Sequence, residues 1–335
     1  MREQINVAAY VNGILSGDRV VLAKAITLIE SNLPSDRRAG DEILEQVLPK
    51  TGNSIRIGIT GAPGAGKSTF IESFGRHIIQ HHRKKVAVLT VDPTSPRTKG
   101  SILGDKTRMD ELARHPMAFI RPSASGETLG GITGRTREAI SLCEAAGYEV
   151  IMVETVGVGQ SETAVKKVVD FFLLLMLAGA GDELQGIKKG ILEMADAIVI
   201  TKADGDNIRQ AIKAKAEYHH AVQLLRPDES GWIPGVLTCS SLTGDGIEAV
   251  WRLVCTFEQR LKETGHFNKR RKQQQVDWMH EHFNDLVYRE LARSPHLSER
   301  AAQLEQQVRS HKVLPVRAAQ QLLEELIRSL KHEPK

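Results

Sequence analysis

Gly61-Ala62-Pro63-Gly64-Ala65-Gly66-Lys67-Ser68-Thr69 is the stretch that decides the fold. It follows the β-rich run Ile55–Thr60 and leads into a helical stretch, Phe70–Gln80. GxxxxGK[ST] therefore stands in the strand–loop–helix context that a phosphate-binding loop requires. The glycines let the backbone wrap an anion with its N–H groups turned inward, and the helix start adds positive potential. Lys67 is placed to reach β- and γ-phosphates, and the Ser68 hydroxyl to ligate Mg²⁺. The spacing is not GxGxxG, which excludes a dinucleotide fold. Ala62 stands where partition ATPases carry a second lysine.

Outward from this loop, short apolar runs alternate with helical stretches: Val86–Val91, Met117–Ile120, Val150–Val153, Phe171–Leu177, Ala197–Ile200 and Gly235–Cys239. Runs apolar on both faces and separated by helices predict a parallel sheet covered on both sides. Residues 1–50 carry helix-spaced apolar residues interrupted at Asn32–Pro34, and no strand pattern returns after about Gly265. The expected fold class is α/β, a mainly parallel sheet covered by helices. A helical extension over 1–50 precedes a core over 51–264, and a helical region over 265–335 follows it. A length of 335 residues, with 41% hydrophobic and 26% charged, excludes a wholly disordered chain. No apolar run reaches the ~18–20 residues of a membrane helix, so no membrane partner is expected. Three scattered cysteines, Cys143, Cys239 and Cys255, and the absence of a signal-peptide pattern favour a cytoplasmic protein.

The base is read further along. Thr201-Lys202-Ala203-Asp204 ends the sixth run and resembles the [NT]KxD element of GTPases. The Asp204 carboxylate can accept from guanine N1–H and the 2-amino group, whereas adenine leaves it unpaired. Lys202 is placed along the base. Thr201 stands where Asn is commoner, so one loop-fixing hydrogen bond is expected to differ. At the next strand's end, Cys239-Ser240-Ser241-Leu242 resembles a second guanine-contacting loop. The expected ligands are GTP and GDP with Mg²⁺.

Two other strand ends point at the metal region. Glu154-Thr155-Val156-Gly157 looks like a DxxG switch with Glu in place of Asp. Glu154 would face Mg²⁺ through water, and Gly157 would offer its N–H to the γ-phosphate. Val158 occupies the position of the water-orienting Gln in Ras-like GTPases, so intrinsic hydrolysis is expected to be slow unless Gln160, a neighbouring switch or a partner supplies that role. Asp92, in Asp92-Pro93-Thr94-Ser95-Pro96, lies beside the phosphate loop. Asp105, in Gly104-Asp105-Lys106-Thr107-Arg108-Met109, is either a metal-facing carboxylate or the cap of a helix from Thr107 to Ala113.

Taken together, GAPGAGKST, VDPTSP, GDKTRM, ETVGVGQSE, AGAGDELQGIKKGILEMAD and TKAD resemble the MeaB/ArgK family of P-loop GTPases over most of the chain. The resemblance implies a chaperone of adenosylcobalamin-dependent acyl-CoA mutases, methylmalonyl-CoA mutase in particular. It also implies a homodimer formed through the C-terminal helices, with GTP hydrolysis gating cofactor loading. It assigns Lys67, Glu154, Gly157 and Asp105 to catalysis, and Ser68, Asp92, Asp105 and Glu154 to the metal. Gly179–Lys189, with Asp182, Gln185 and Lys188, would be a further switch facing the mutase. Its glycines interrupt any helix and its charges can re-pair. A protein kinase linked to amino-acid transport, a GTPase metallochaperone and an RNA-binding module are the alternatives.

Other features suggest solvated surface. His81-His82, His219-His220, His280 and His282 form no Cys/His array at metal spacing, so solvated helix positions are expected. Residues 259–335 hold 15 Lys and Arg against 10 Asp and Glu, while the preceding 258 residues have a net charge of −1. Lys269-Arg270-Arg271-Lys272 lacks an aromatic platform and reads as a solvated linker, with no nucleic-acid partner.

Overall fold

The protein is described by a computed structural model covering residues 5–31, 33–91, 109–123, 129–155, 161–178, 189–225 and 229–332. The chain divides into two compact units, residues 1–275 and 276–335.

The first unit is built on seven parallel strands: β1 (Ile55–Gly61), β2 (Val86–Val91), β3 (Ala118–Ser123), β4 (Val150–Thr155), β5 (Phe171–Leu177), β6 (Ala197–Thr201) and β7 (Gly235–Thr238). Their order is β3-β2-β4-β1-β5-β6-β7, which puts the strand preceding the glycine loop at the centre. Its helices are α1 (Val7–Leu15), α2 (Arg19–Glu30), α3 (Pro34–Val47), α4 (Lys67–His82), α5 (Asp110–Arg114), α6 (Leu129–Ala145), α7 (Ser161–Lys166), α8 (Lys189–Met194), α9 (Ile208–Gln223), α10 (Ile247–Glu263) and the start of α11 (His266–Arg293). The remainder of the chain adds α12 (Pro295–Arg309) and α13 (Pro315–His332).

Alternation along the strands makes two cores. Val86 and Val88 face one side of the sheet with Ile57 and Ile59, against Phe70, Phe74 and Ile78 of α4 and Trp251 and Phe257 of α10. Ala87, Leu89 and Val91 face the other side with Ile151 and Val153, against Ile26 and Ile29 of α2, Ile43 of α3 and Ile140 of α6. A third cluster joins Leu174, Met176, Ile198 and Ile200 to Ala211, Tyr218 and Val222 of α9. Both strand faces are buried, which is why these runs are apolar without a polar alternate.

The N-terminal region is interrupted once more than expected. Gly17 takes a left-handed φ of 78° and Asp18 caps α2, its carboxylate accepting from the N–H groups of Val20 and Val21. β3 runs to Ser123, beyond the expected Ile120. It is an edge strand, where Pro122 removes no ladder bond that the sheet needs. The helix expected over Thr107–Ala113 is described from Asp110 to Arg114, with Met109 as its N-cap.

Lys269–Lys272 is not a solvated linker. The run lies in α11, and its Arg271 fork grips Asp170 through two bonds, Nε to Oδ1 at 2.8 Å and Nη2 to Oδ2 at 2.6 Å. Arg271 also donates to the carbonyls of Gly52 at 2.6 Å and Ser54 at 2.5 Å, and Arg270 donates to the Asp170 carbonyl at 2.7 Å. Beneath it, Glu144 is held by Arg56 at 2.9 and 3.0 Å, by the Ser54 hydroxyl at 2.6 Å and by the Gly52 N–H at 2.7 Å. These residues lie at the N-terminal ends of β1 and β5, opposite the glycine loop. Two buried carboxylates and two guanidiniums thus fasten the start of α11 to the sheet.

In the second unit, Leu297, Leu304, Ala318 and Leu326 are buried, and Arg300 of α12 pairs with Glu325 of α13 at 2.8 Å. Val276, Met279, Phe283 and Leu286 of α11 recur at helical spacing and are exposed, Phe283 by 63%. Among the described residues no helix is long and apolar enough to cross a membrane.

Candidate functional site

The carboxyl ends of parallel strands are where an α/β sheet presents its loops and helix starts to a ligand. Here β1 ends at Gly61, where a Cβ would lie 2.4 Å from the Leu175 carbonyl oxygen of β5. Only glycine lets the two backbones approach so closely. The chain then turns, with the Ala65 N–H donating to the Ala62 carbonyl at 3.1 Å, while Pro63 and Gly64 stand exposed at its tip. Gly66 enters α4 with a φ of 80° and brings no side chain to cap the helix. The first-turn N–H groups at Lys67, Ser68 and Thr69 are thereby available to an anion.

Lys67 folds back over the loop and donates from Nζ to the Gly61 carbonyl at 2.9 Å. Burial pushes its ammonium pKa down, and the nearby charges of Glu154 and Glu162 oppose that shift. The ammonium is thus held over the loop by carbonyls that a phosphate can replace. Ser68 is buried and donates from Oγ to Oε1 of Glu154 at 3.1 Å. Glu154 lies on β4, in register with Ile59 of β1 and Thr90 of β2, and is also buried. Two hard oxygen donors thus meet at the foot of the loop, the chemistry that suits Mg²⁺. One residue further, the Thr155 hydroxyl donates to that of Thr60 at 2.9 Å, locking the ends of β4 and β1 together.

A second group stands at the ends of β6 and β7. The Thr201 hydroxyl lies 2.7 Å from the Ala65 carbonyl and 3.1 Å from the Met176 carbonyl, donating toward both. The link between this strand and the phosphate loop is therefore made by Thr201, although the sequence pattern suggested a bond altered by the missing Asn. Lys202 takes a left-handed φ of 56°, and its Cε lies 3.9 Å from where a Cβ on Gly66 would be. The Asn207 amide donates to the Lys202 carbonyl at 2.7 Å, and the Ala203 N–H to the Cys239 carbonyl at 3.0 Å. Ser240, fully buried, donates from its hydroxyl to Oδ2 of Asp204 and accepts from the N–H groups of Leu242 at 3.2 Å and Thr243 at 3.1 Å. Ser240 thus orients the Asp204 carboxylate and shapes the following turn, leaving Ser241 half-buried and Leu242 81% exposed.

The structure therefore brings Gly61 through Thr69, Glu154, Lys202, Asp204 and Ser240 through Leu242 to one edge of the sheet. Asp92, Asp105, Gly157, Val158, Gln160, Asp182, Gln185 and Lys188 lie outside the described residues. Sequence reasoning missed Thr60, Thr155 and the buried Glu162. Hydroxyls at strand ends carry no spacing signature, and Glu162 is unremarkable until the sheet places it near Lys67. It also misread the histidines: His82 is not simply solvated, for it meets His77 and Glu248 away from the nucleotide loop.

A family model described as methylmalonyl Co-A mutase-associated GTPase MeaB matches residues 22–296. A probable GTPase of Mycobacterium tuberculosis is 50% identical over 311 residues, covering 93% of this chain and 92% of that protein. GTPase ArgK of Escherichia coli is 48% identical over 291 residues, covering 87% of this chain and 88% of that protein. A solved structure titled as an LAO/AO transport system kinase superposes with a TM-score of 0.77 at 39% identity, covering 96% of this chain and 99% of the other.

Proposed function

Because the chain belongs to the MeaB family of mutase-associated GTPases, we propose that it binds and hydrolyses GTP with Mg²⁺ and uses that cycle to gate cofactor loading on a cobalamin-dependent acyl-CoA mutase of the methylmalonyl-CoA type. The observation that carries this reading is the convergence at one sheet edge of the uncapped start of α4, the Ser68–Glu154 oxygen pair and the Ser240-oriented Asp204.

In this reading the first-turn N–H groups of α4 and Lys67 cradle the phosphates, and Lys67 exchanges its carbonyl partners for phosphate oxygens. Ser68 and Glu154 would hold Mg²⁺, with Asp92 and Asp105 as further carboxylates of the metal region. An ion held there would supply positive charge against the phosphates. Gly157 offers its N–H to the γ-phosphate. Water attacks that phosphorus, the bond to the bridging oxygen breaks, and GDP and phosphate leave. Asp204 reads guanine, with Lys202 along the base and Ser241 and Leu242 beside it.

The readout to the mutase is assigned to Asp182, Gln185 and Lys188. The exposed stripe Val276, Met279, Phe283 and Leu286 is the surface by which two chains pair. The test is complex formation with purified methylmalonyl-CoA mutase, followed by light scattering. A complex whose stability differs between a non-hydrolysable GTP analogue and GDP is expected, with two copies of this chain per free particle. Absence of any complex in either nucleotide state overturns the chaperone reading, and a monomer overturns the pairing.

Base selection is tested separately. Asp204→Asn exchanges an acceptor for an amide donor, so GTP is expected to lose about 10- to 100-fold in affinity while xanthosine triphosphate gains. Competition binding of the two nucleotides reads this. Unchanged preference removes Asp204 as the base reader.

A further inference from the structure

The opposite end of α4 carries a constellation that nucleotide binding does not use. His77 and His82 both bring Nε2 to a single oxygen, Oε2 of Glu248 in the first turn of α10, at 2.7 and 3.0 Å. The three ligand-type atoms all lie within 4.8 Å of one another, and all three residues are partly buried. The His77 ring packs 4.4 Å from that of His81, and the His82 ring 5.5 Å from that of Trp251, centroid to centroid. Trp251 in turn packs edge-on to Phe74 in the core, with ring centroids 6.1 Å apart. The imidazoles are thus oriented by packing against neighbouring rings. On the outer side, the other oxygen of Glu248 faces Arg252 at 3.5 Å.

Without an ion, both rings must carry a proton on Nε2, so that two donors crowd one carboxylate oxygen. An ion relieves that arrangement. Tetrahedral ligands at ~2.0–2.1 Å from zinc stand roughly 3.3 Å apart, so the nitrogen–oxygen separations of 2.7 and 3.0 Å need to open by about 0.6 and 0.3 Å, with the two ring nitrogens adjusting to the same spacing from within 4.8 Å. Each neutral ring keeps its proton by moving it to Nδ1, leaving Nε2 as the donor to metal. Two imidazoles and one carboxylate with an open fourth position match the donor set of zinc, whereas Mg²⁺ prefers all-oxygen surroundings.

We propose that His77, His82 and Glu248 bind one divalent transition ion of the zinc class. The ion ties the C-terminal end of the phosphate-loop helix α4 to the start of α10, the helix that follows the Ser240–Leu242 turn. It clamps the two helices that lead away from the phosphate and base ends of the nucleotide site. The metal site is independent of whether that site hydrolyses GTP.

The test uses untagged full-length protein, stripped with chelator and titrated with ZnCl₂ by calorimetry and with CoCl₂ by visible spectroscopy. About one Zn²⁺ per chain is expected, together with the d–d absorption of low-symmetry Co²⁺ and a raised melting temperature on Zn²⁺ addition. Glu248→Gln keeps the shape of the site but removes the anionic ligand, and His82→Ala removes an imidazole. Each is expected to lower Zn²⁺ affinity by at least the ~10–100-fold typical of disturbing a partner of a metal ligand. His219→Ala, on α9, leaves binding unchanged. No Zn²⁺ uptake by the wild-type chain at tens of micromolar, or uptake that neither Glu248→Gln nor His82→Ala weakens, overturns the site.

Discussion

Lys67→Ala is expected to weaken GTP binding by roughly 10²- to 10⁴-fold. Two charge-assisted bonds to phosphate oxygens contribute about 1.5–3 kcal/mol each, and each ~1.4 kcal/mol is tenfold in affinity. In the absence of nucleotide, Nζ is held by the Gly61 carbonyl at 2.9 Å and is partly desolvated. Deleting it therefore removes the cation without collapsing a hydrophobic contact. The variant is expected to melt within a few degrees of wild type while losing nucleotide, which separates a binding defect from a folding one. Titration with a fluorescent GTP analogue reads the affinity and circular dichroism reads the melt. Near-normal affinity in a folded variant removes the loop assignment.

Arg271→Ala is expected to cost about 3–5 kcal/mol of stability, the range for removing one partner of a buried ion pair. The Arg271 side chain is 13% exposed and Asp170 2%, so water cannot replace the lost fork. Burial alone would lower the Arg271 pKa, but the bonds it donates to Asp170 and the charge of that carboxylate more than compensate and raise it. The deletion also strips donors from the carbonyls of Gly52 and Ser54. Arg271→Lys restores charge but not the planar fork, and is expected to recover only part of the loss. Urea melts followed by tryptophan fluorescence provide the measurement; a loss under ~1 kcal/mol would show that the contacts are not coupled to the core.

The same network sets an acid limit. Burial would raise the Glu144 carboxyl, yet Arg56, with the hydrogen bonds from Arg56, Ser54 and Gly52, holds it below the usual range. A depressed carboxyl stabilises fully above its unfolded-chain value near ~4.3, and that contribution fades as pH falls through the folded-state value. The urea midpoint is accordingly expected to drop on acidification below that unfolded value.

The sheet was legible because strands such as Val86–Val91 and Phe171–Leu177 are apolar on both faces, a pattern few structures other than a covered parallel sheet accommodate. The glycine loop was legible because its spacing is a backbone requirement. Asp204 and Ser240 were legible as strand-end motifs, but the bond joining them was not, since the pairing of β6 with β7 has to exist first. Arg271 was misread because a run of basic residues normally faces water. Its partners lie 101 and 217–219 residues away, and nothing local announces them. Glu248 lies 171 residues from His77 and 166 from His82, so their meeting is equally invisible along the chain.

That distance has a consequence during synthesis. The glycine loop, Glu154, Asp204 and all seven strands are synthesised before Arg271, while Asp170 still lacks its guanidinium. The sheet can collapse early, but its N-terminal edge stays open until the first turns of α11 arrive. An emerging chain thus spends the time needed to add the residues between Leu242 and Arg271, about one to six seconds at ~5–20 residues per second, with the nucleotide-site residues synthesised and the frame not yet fastened. Arrival of the basic run completes the first unit. It serves as the closing stitch of a vectorial assembly, so a chain released before that point leaves the buried Asp170 carboxylate short of the guanidinium that fastens it.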